Sequence, residues 1–165
     1  MKKIVKDPKL EKLYKKMGKM SAEELSCLIT EDLYIKAKFL FEAKNYEEVI
    51  RVANEALKKD PEALGVLAIK FRASKKLKKV QLAKRILIVM TKIDRDRTSI
   101  DPRFDWPTTR TSFYEEALPF IDSIIKKNIK DPVPIETKGR ILAFLKRYDD
   151  TIALIEWAYT IEPRN

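Results

Sequence analysis

The side chains that most often carry out chemistry in proteins are scarce in this sequence of 165 residues. It has no histidine, a single cysteine (Cys27), and three glycines that stand far apart, so it lacks an imidazole base, a thiol pair and a glycine-rich phosphate loop. Adjacent carboxylates occur at Glu47-Glu48, Glu115-Glu116 and Asp149-Asp150. Because these pairs share one position in a repeating pattern, they indicate helix starts rather than acid–base or metal pairs. The sequence therefore predicts no enzyme, no cofactor and no metal site.

Basic residues are the other candidates, and they are concentrated in one part of the chain. The formal net charge is +10, and residues 64–97 hold 11 Lys and Arg against two Asp and Glu, a net +9. Residues 1–29 hold eight basic and four acidic residues, a net +4. This density exceeds what solubility requires, so it indicates either a well-solvated turn after residue 70 or a surface for an acidic partner.

The elements that position these charges repeat every 34 residues. The equivalent positions in the four units are Tyr46, Val80, Tyr114 and Tyr148. The seventh residue after each of them is apolar: Ala53, Leu87, Ile121 and Ile155. Two of the units end with a proline, at Pro61 and Pro163. The pattern resembles the tetratricopeptide repeat (TPR), which has two antiparallel helices per unit. The resemblance implies units at 30–63, 64–97, 98–131 and 132–165. It also implies an all-α, right-handed solenoid that follows N-terminal helices in residues 1–29.

The same resemblance implies a concave groove lined by the first helix of each unit. The residues at the groove-facing positions are Lys38, Phe41, Arg72, Lys75, Lys76, Trp106, Arg110 and Arg140. Most of them are cationic and the others are aromatic. Such a lining favours an extended acidic segment of another protein, held by charge-assisted hydrogen bonds and aromatic contacts.

The third unit departs from the pattern, because Pro102 and Pro107 stand where a first helix should run. Proline inside a helix costs roughly 3 kcal/mol. We therefore expect a short, irregular or displaced helix between Ile100 and Ser112. The alternatives are a plain connecting loop or a loop that brings Phe104 and Trp106 beside the groove.

The N-terminal region reads as two helices. Leu10, Leu13, Tyr14, Met17 and Met20 fall on one face of a lysine-rich amphipathic helix, and a capping-box pattern in SAEEL begins a second one. The first helix either packs on the first repeat or docks on a partner or a membrane surface. Cys27 fits a buried, inert thiol, since the chain offers no histidine to activate it.

The sequence of the last helix predicts an interface at the end of the repeat array. Leu154 and Trp157 occupy positions where the first unit has Val52 and Glu55, so we expect an apolar edge there. It would pack against a second copy, a partner, the loop of the third unit or further chain. A homodimer through this edge is the simplest closed arrangement.

Together these features predict a cytoplasmic adaptor or assembly scaffold that binds another protein. The single cysteine and the lack of a secretory signal or a long apolar run favour an intracellular location. RNA or DNA binding through the basic second unit is the alternative function, since repeats of helix pairs also recognise RNA. Attachment to a membrane surface is a third possibility.

Overall fold

A computed structural model of the chain describes residues 21, 23, 28–96 and 106–161, with the backbone alone at 95, 96 and 106–108. All regular secondary structure in these residues is helical, which confirms the predicted all-α class. The helices are α1 (Thr30–Glu42), α2 (Tyr46–Lys59), α3 (Leu64–Lys76), α4 (Val80–Asp96), α5 (Trp106–Lys127), α6 (Pro132–Phe144) and α7 (Tyr148–Ile161). The amphipathic helix predicted before residue 21 and the Cys27 thiol lie outside the described residues.

The chain forms two compact units, Met1–Val80 and Gln81–Asn165. In the first unit α2 packs against both α1 and α3, and α1 also contacts α3. In the second unit α6 packs against both α5 and α7. Within the described ranges, none of the helices has both the length and the apolar character needed to cross a membrane.

Helix starts recur at the 34-residue spacing. α1, α3 and α6 begin at residues 30, 64 and 132, whereas α2, α4 and α7 begin at residues 46, 80 and 148. Acidic residues fill the first turns of α2 and α7, where they face the positive end of the helix dipole. Asp131 caps α6 by accepting a hydrogen bond of 3.1 Å from the Val133 amide, and Pro132 follows at a position that needs no amide hydrogen.

Three of the turns between paired helices have the same backbone geometry. Lys44, Lys78 and Lys146 each adopt a left-handed conformation, with φ of 61°, 57° and 57°. In the first of these turns the Asn45 amide donates to the Leu40 carbonyl (2.9 Å) and the Lys44 amide donates to the Phe41 carbonyl (3.0 Å). The same two bonds recur around Lys78 and Lys146. This is the Schellman motif, in which glycine is the usual left-handed residue.

The core of the first unit is formed by apolar side chains of α1, α2 and α3. Leu33 and Ala37 of α1, Val52 of α2, and Phe71 of α3 are completely buried. The start of α3 is buried on all sides, from Leu64 through Ile69. A helix that is apolar all round is packed between neighbours, which agrees with the contacts of α3 with both α1 and α2.

The third unit differs from its prediction, because α5 runs without interruption from Trp106 to Lys127. The described residues up to Ser112 are helical and continue directly through Tyr114, so neither a loop nor a separate first helix occupies residues 106–112. Pro107 is the second residue of α5, and a proline there removes no intrahelical hydrogen bond. Residues 97–105, including Phe104, lie outside the described part.

Candidate functional site

The first unit carries a basic surface built from two neighbouring helices. α1 contributes Lys38 and Phe41, and α3 contributes Arg72, Lys75 and Lys76. We refer to these five residues as the basic surface. Lys76 is exposed and the other four are half-buried. Because α1 and α3 contact each other, five of the eight residues predicted to line a groove lie on two adjacent helices.

Aromatic rings hold part of the basic surface in place. The Lys38 ammonium lies 5.5 Å from the centre of the Tyr34 ring, and the Lys75 ammonium lies 5.3 Å from the centre of the Phe71 ring. Phe41 makes an edge-to-face contact with Tyr46, with the ring centres 5.2 Å apart. Cation–π contacts restrict long lysine side chains, so the charges are partly ordered before any ligand arrives.

A second set of lysines is partly or fully buried, and the sequence pattern does not predict this burial. Lys36, Lys70 and Lys138 share one repeat position. Lys36 is 1% exposed, Lys70 is half-buried, and the Lys138 ammonium forms an ion pair of 2.8 Å with Asp122. Burial lowers the pKa of Lys70. Lysine is rarely buried, so only the regular spacing of these residues could have revealed their common environment.

In the second unit, Arg110 is part of a polar network between three helices. Its Nε donates to Asp94 Oδ2 of α4 at 2.7 Å, and its guanidinium carbon lies 4.4 Å from the centre of the Phe144 ring of α6. Tyr114 also donates to Asp94 and stacks on Phe144, with the ring centres 5.2 Å apart. Burial and the Asp94 carboxylate raise the pKa of Tyr114 well above its ordinary value. Arg110 therefore has a structural role already, since its charge is balanced by a buried carboxylate.

The remaining two groove positions offer less to a ligand. Arg140 forms an ion pair with Glu136 one turn earlier in α6. Trp106 is the first residue of α5, and its side chain lies outside the described atoms. Five of the eight predicted groove residues thus lie on the basic surface of the first unit, whereas Arg110 and Arg140 lie on helices of the second unit.

Leu154 is not part of an exposed apolar edge, contrary to the prediction from the sequence. Leu154 is 8% exposed and lies beside Gly139 of α6, where an added methyl group would stand 3.8 Å from Leu154 Cδ2. Its equivalent Val52 is completely buried, so this position faces inward in both units. Trp157 is half-buried. The large apolar residues that α7 does expose are Tyr148, Ile152, Ile155 and Tyr159, on a different face of the helix.

Across the described ranges, no group of three or more histidine, cysteine or acidic residues is arranged to hold a metal ion. No model of a known protein family matches the chain, and no curated protein matches it either. The functional interpretation therefore depends on the surfaces themselves.

Proposed function

We propose that this chain is a helical-repeat interaction scaffold, similar in architecture to TPR proteins, that binds an extended acidic segment of another protein through its basic surface. In this proposal the helix pairs continue into a right-handed solenoid and the protein acts in the cytoplasm. The single observation that carries it is the placement of Lys38, Arg72, Lys75 and Lys76 on the adjacent helices α1 and α3.

The regularity of the helices supports a repeat architecture. Equivalent helices begin 34 or 68 residues apart, and three turns share the same pair of backbone hydrogen bonds. Proteins built from such units typically use an extended surface to bind partners. The sequence also lacks the histidine, paired cysteines and phosphate loop with which many enzymes work.

The chemistry of the basic surface favours a carboxylate ligand that also carries bulky side chains. A guanidinium such as that of Arg72 can form a forked pair with a carboxylate, and Lys76 is an exposed cation. Phe41 and the Tyr34 ring next to Lys38, both half-buried, provide apolar area between the charges. An extended peptide with alternating acidic and large apolar residues would satisfy both features.

An unbiased peptide selection tests this proposal and does not require an identified partner. The full chain would be immobilised and screened with a random peptide library displayed on phage. We expect enrichment of Asp and Glu next to aromatic or aliphatic residues. A synthetic peptide from the selection should bind the Arg72→Glu/Lys76→Glu variant at least about tenfold more weakly than the wild type.

The Lys58→Glu/Lys59→Glu variant is the matched control, because it makes the same change in net charge at the end of α2. It should bind the peptide almost as the wild type does. Circular dichroism and thermal unfolding would verify that all three proteins are folded. A selection without acidic enrichment, or equal losses in both variants, contradicts the assignment of the basic surface.

Nucleic-acid binding is the alternative, and it is favoured by the cationic cluster at the end of α3. Six basic residues fall within the ten positions 70–79, although one of them, Lys79, pairs with Glu47 at 2.8 Å; the six are Lys70, Arg72, Lys75, Lys76, Lys78 and Lys79. This alternative predicts that a uridine 20-mer binds at low salt, with the logarithm of affinity falling by about 0.7 per phosphate contact for each tenfold rise in salt. Absence of binding in 50 mM salt, about the lower end of the usual range, would exclude it.

A further inference from the structure

Helix α7 exposes an unusual apolar stripe. Tyr148, Ile152, Ile155 and Tyr159 are between 50% and 61% exposed. Their spacing of four, three and four residues places them on one face of the helix. This stripe differs from the face that carries Leu154, which packs toward α6. We refer to these four residues as the α7 stripe.

The same four repeat positions are buried elsewhere in this unit. The residues 34 positions earlier, on α5, are Tyr114, Leu118, Ile121 and Ile125, and all four are buried. α5 has α6 packed against it. The contacts between α5 and α6 therefore indicate what kind of element would cover the α7 stripe.

Two contacts define the recognition of α6 by α5. Asp122 of α5 pairs with Lys138 at 2.8 Å, and Tyr114 of α5 stacks on Phe144 at 5.2 Å. Lys138 comes six residues before Phe144 in α6, whereas its partner Asp122 follows Tyr114 in α5, so the two helices run in opposite directions. The equivalents of Asp122 and Tyr114 on α7 are Glu156 and Tyr148, and both are exposed.

The charge of α7 further restricts which helix could bind to the α7 stripe. From Tyr148 to Ile161, α7 has no basic residue; of its three acidic residues, Asp150 pairs with Arg147 at 2.6 Å, so Asp149 and Glu156 supply the negative charge next to the stripe. A second copy of α7 would bring like charges to the stripe, which disfavours self-association. A cationic helix would instead meet complementary charge, as Lys138 does at Asp122.

We propose that the α7 stripe docks a basic amphipathic helix of a partner protein, running antiparallel to α7, with a cation opposite Glu156 and an aromatic residue six positions later that stacks on Tyr148. This site belongs to the second unit, whereas the basic surface belongs to the first, and the two have opposite charge. It rests on the observed packing of α5 with α6, so failure of the acidic-peptide proposal would leave it intact.

The sequence of α6 supplies a probe with the required pattern. A fluorescent synthetic peptide of residues 131–147 contains Lys138 and Phe144, and a lactam bridge between two solvent-facing positions would stabilise its helix. We expect anisotropy to show binding to the full chain at micromolar concentration, roughly 10–100 μM, because the interface is a single helix. Binding should weaken at least about tenfold for Ile155→Glu. The matched control Val89→Glu, another exposed apolar residue of this unit, should bind the peptide as the wild type does.

A charge exchange tests the orientation. Glu156→Lys in the protein should weaken the wild-type peptide about fivefold, and a peptide with Lys138→Glu should recover most of that loss. Replacement of Phe144 by alanine in the peptide should weaken binding to the wild type but have a smaller effect on a Tyr148→Ala protein. These couplings would not arise from nonspecific adhesion of an apolar peptide.

Several results would overturn the proposal. Undetectable binding of the bridged peptide at about 1 mM would do so, as would equal binding to wild type and Ile155→Glu. A wild-type dimer in sedimentation equilibrium that Ile155→Glu converts to monomer would assign the stripe to a second copy instead. If a peptide of residues 6–20 displaced the probe with higher affinity than the probe itself, the occupant would be the N-terminal segment of this chain.

Discussion

The Tyr114 hydroxyl donates a hydrogen bond of 2.8 Å to Asp94, a carboxylate that is almost completely buried. The same Asp94 oxygen accepts from Arg110 at 2.7 Å, so one acidic side chain links α4 to α5. The Tyr114 ring then stacks on Phe144 and extends the connection to α6. This network joins buried polar groups of the second unit across three helices.

Removal of the Tyr114 hydroxyl should therefore destabilise the protein. Tyr114→Phe keeps the stacking but deprives Asp94 of one donor, and we expect a loss of about 1–2 kcal/mol in the free energy of unfolding. Urea denaturation followed by circular dichroism measures it. Tyr159→Phe is the control, because Tyr159 is exposed on α7 and its hydroxyl should contribute little. Equal stability of Tyr114→Phe and wild type would mean that the hydrogen bond to Asp94 makes no net contribution to the free energy of unfolding.

Substitution of the three lysines with a left-handed backbone conformation should, in contrast, stabilise the protein. A residue with a Cβ in this conformation costs roughly 1–2 kcal/mol, while glycine loses more entropy on folding. Glycine at Lys44, Lys78 or Lys146 should therefore raise the free energy of unfolding by about 0.5 kcal/mol each. Thermal unfolding of the single and triple variants tests this additivity. Lys92→Gly, inside α4, should instead destabilise by about 1 kcal/mol.

Gly139 offers the complementary case, since it lies within α6 and has an ordinary helical conformation. An added methyl group would be 3.8 Å from Leu154, which is a normal van der Waals distance. Gly139→Ala should thus stabilise the protein by about 1 kcal/mol through higher helix propensity. Calorimetry would detect the rise in melting temperature. A destabilised Gly139→Ala would indicate that α6 and α7 pack more tightly than this distance implies.

Acid should weaken the second unit through Asp131. Its hydrogen bond with Lys84, at 2.7 Å, is the largest cause that lowers the pKa of this carboxyl, and the Val133 amide adds to it. A lowered pKa in the folded state means that the stabilisation is fully present above the unfolded value, about 4, and is lost as pH falls through the folded value. Asp131→Asn keeps an oxygen for the helix cap but loses the charge. It should be less stable than the wild type at pH 7, and the two should converge toward pH 2.

Lys84→Met separates the two roles of Asp131. This variant removes the ion pair and leaves the cap, so its stability should also converge with that of the wild type in acid. A difference between wild type and Asp131→Asn that persists unchanged at low pH would assign the effect to the cap rather than to the charge.

Much of the fold can be predicted from the sequence, because the residues typical of helix starts and ends occur at the positions that the 34-residue period indicates. Six helices begin at the periodic positions, and α6 begins at a proline that follows a capping aspartate. Over residues 106–112 the prediction of an irregular segment is wrong, because it treats Pro107 as a helix breaker, although near a helix start its missing amide hydrogen has no effect. Sequence alone does not distinguish these two roles when the helix boundary is unknown.

The candidate site is less predictable, because it depends on which face of each helix is covered. The repeat pattern assigns Leu154 to an outer edge, whereas its contact with α6 makes it part of the core. Arg110 has a groove-facing position in the repeat pattern, but a buried acid 16 residues earlier engages it. Lys36 lies in the interior despite its charge. Such outcomes are decided by tertiary neighbours, which a single sequence does not specify.

Pro119 in the middle of α5 gives that helix a natural point of division. Since proline has no amide hydrogen, the Glu115 carbonyl receives no bond from the residue four positions later, and the ladder is interrupted there. The two halves have separate anchors: Tyr114 holds the first to α4 and α6, whereas Asp122 holds the second to Lys138. We therefore expect each half to open without the other. In amide hydrogen exchange, a helix that is continuous in shape would behave as two independently protected segments that meet at Pro119.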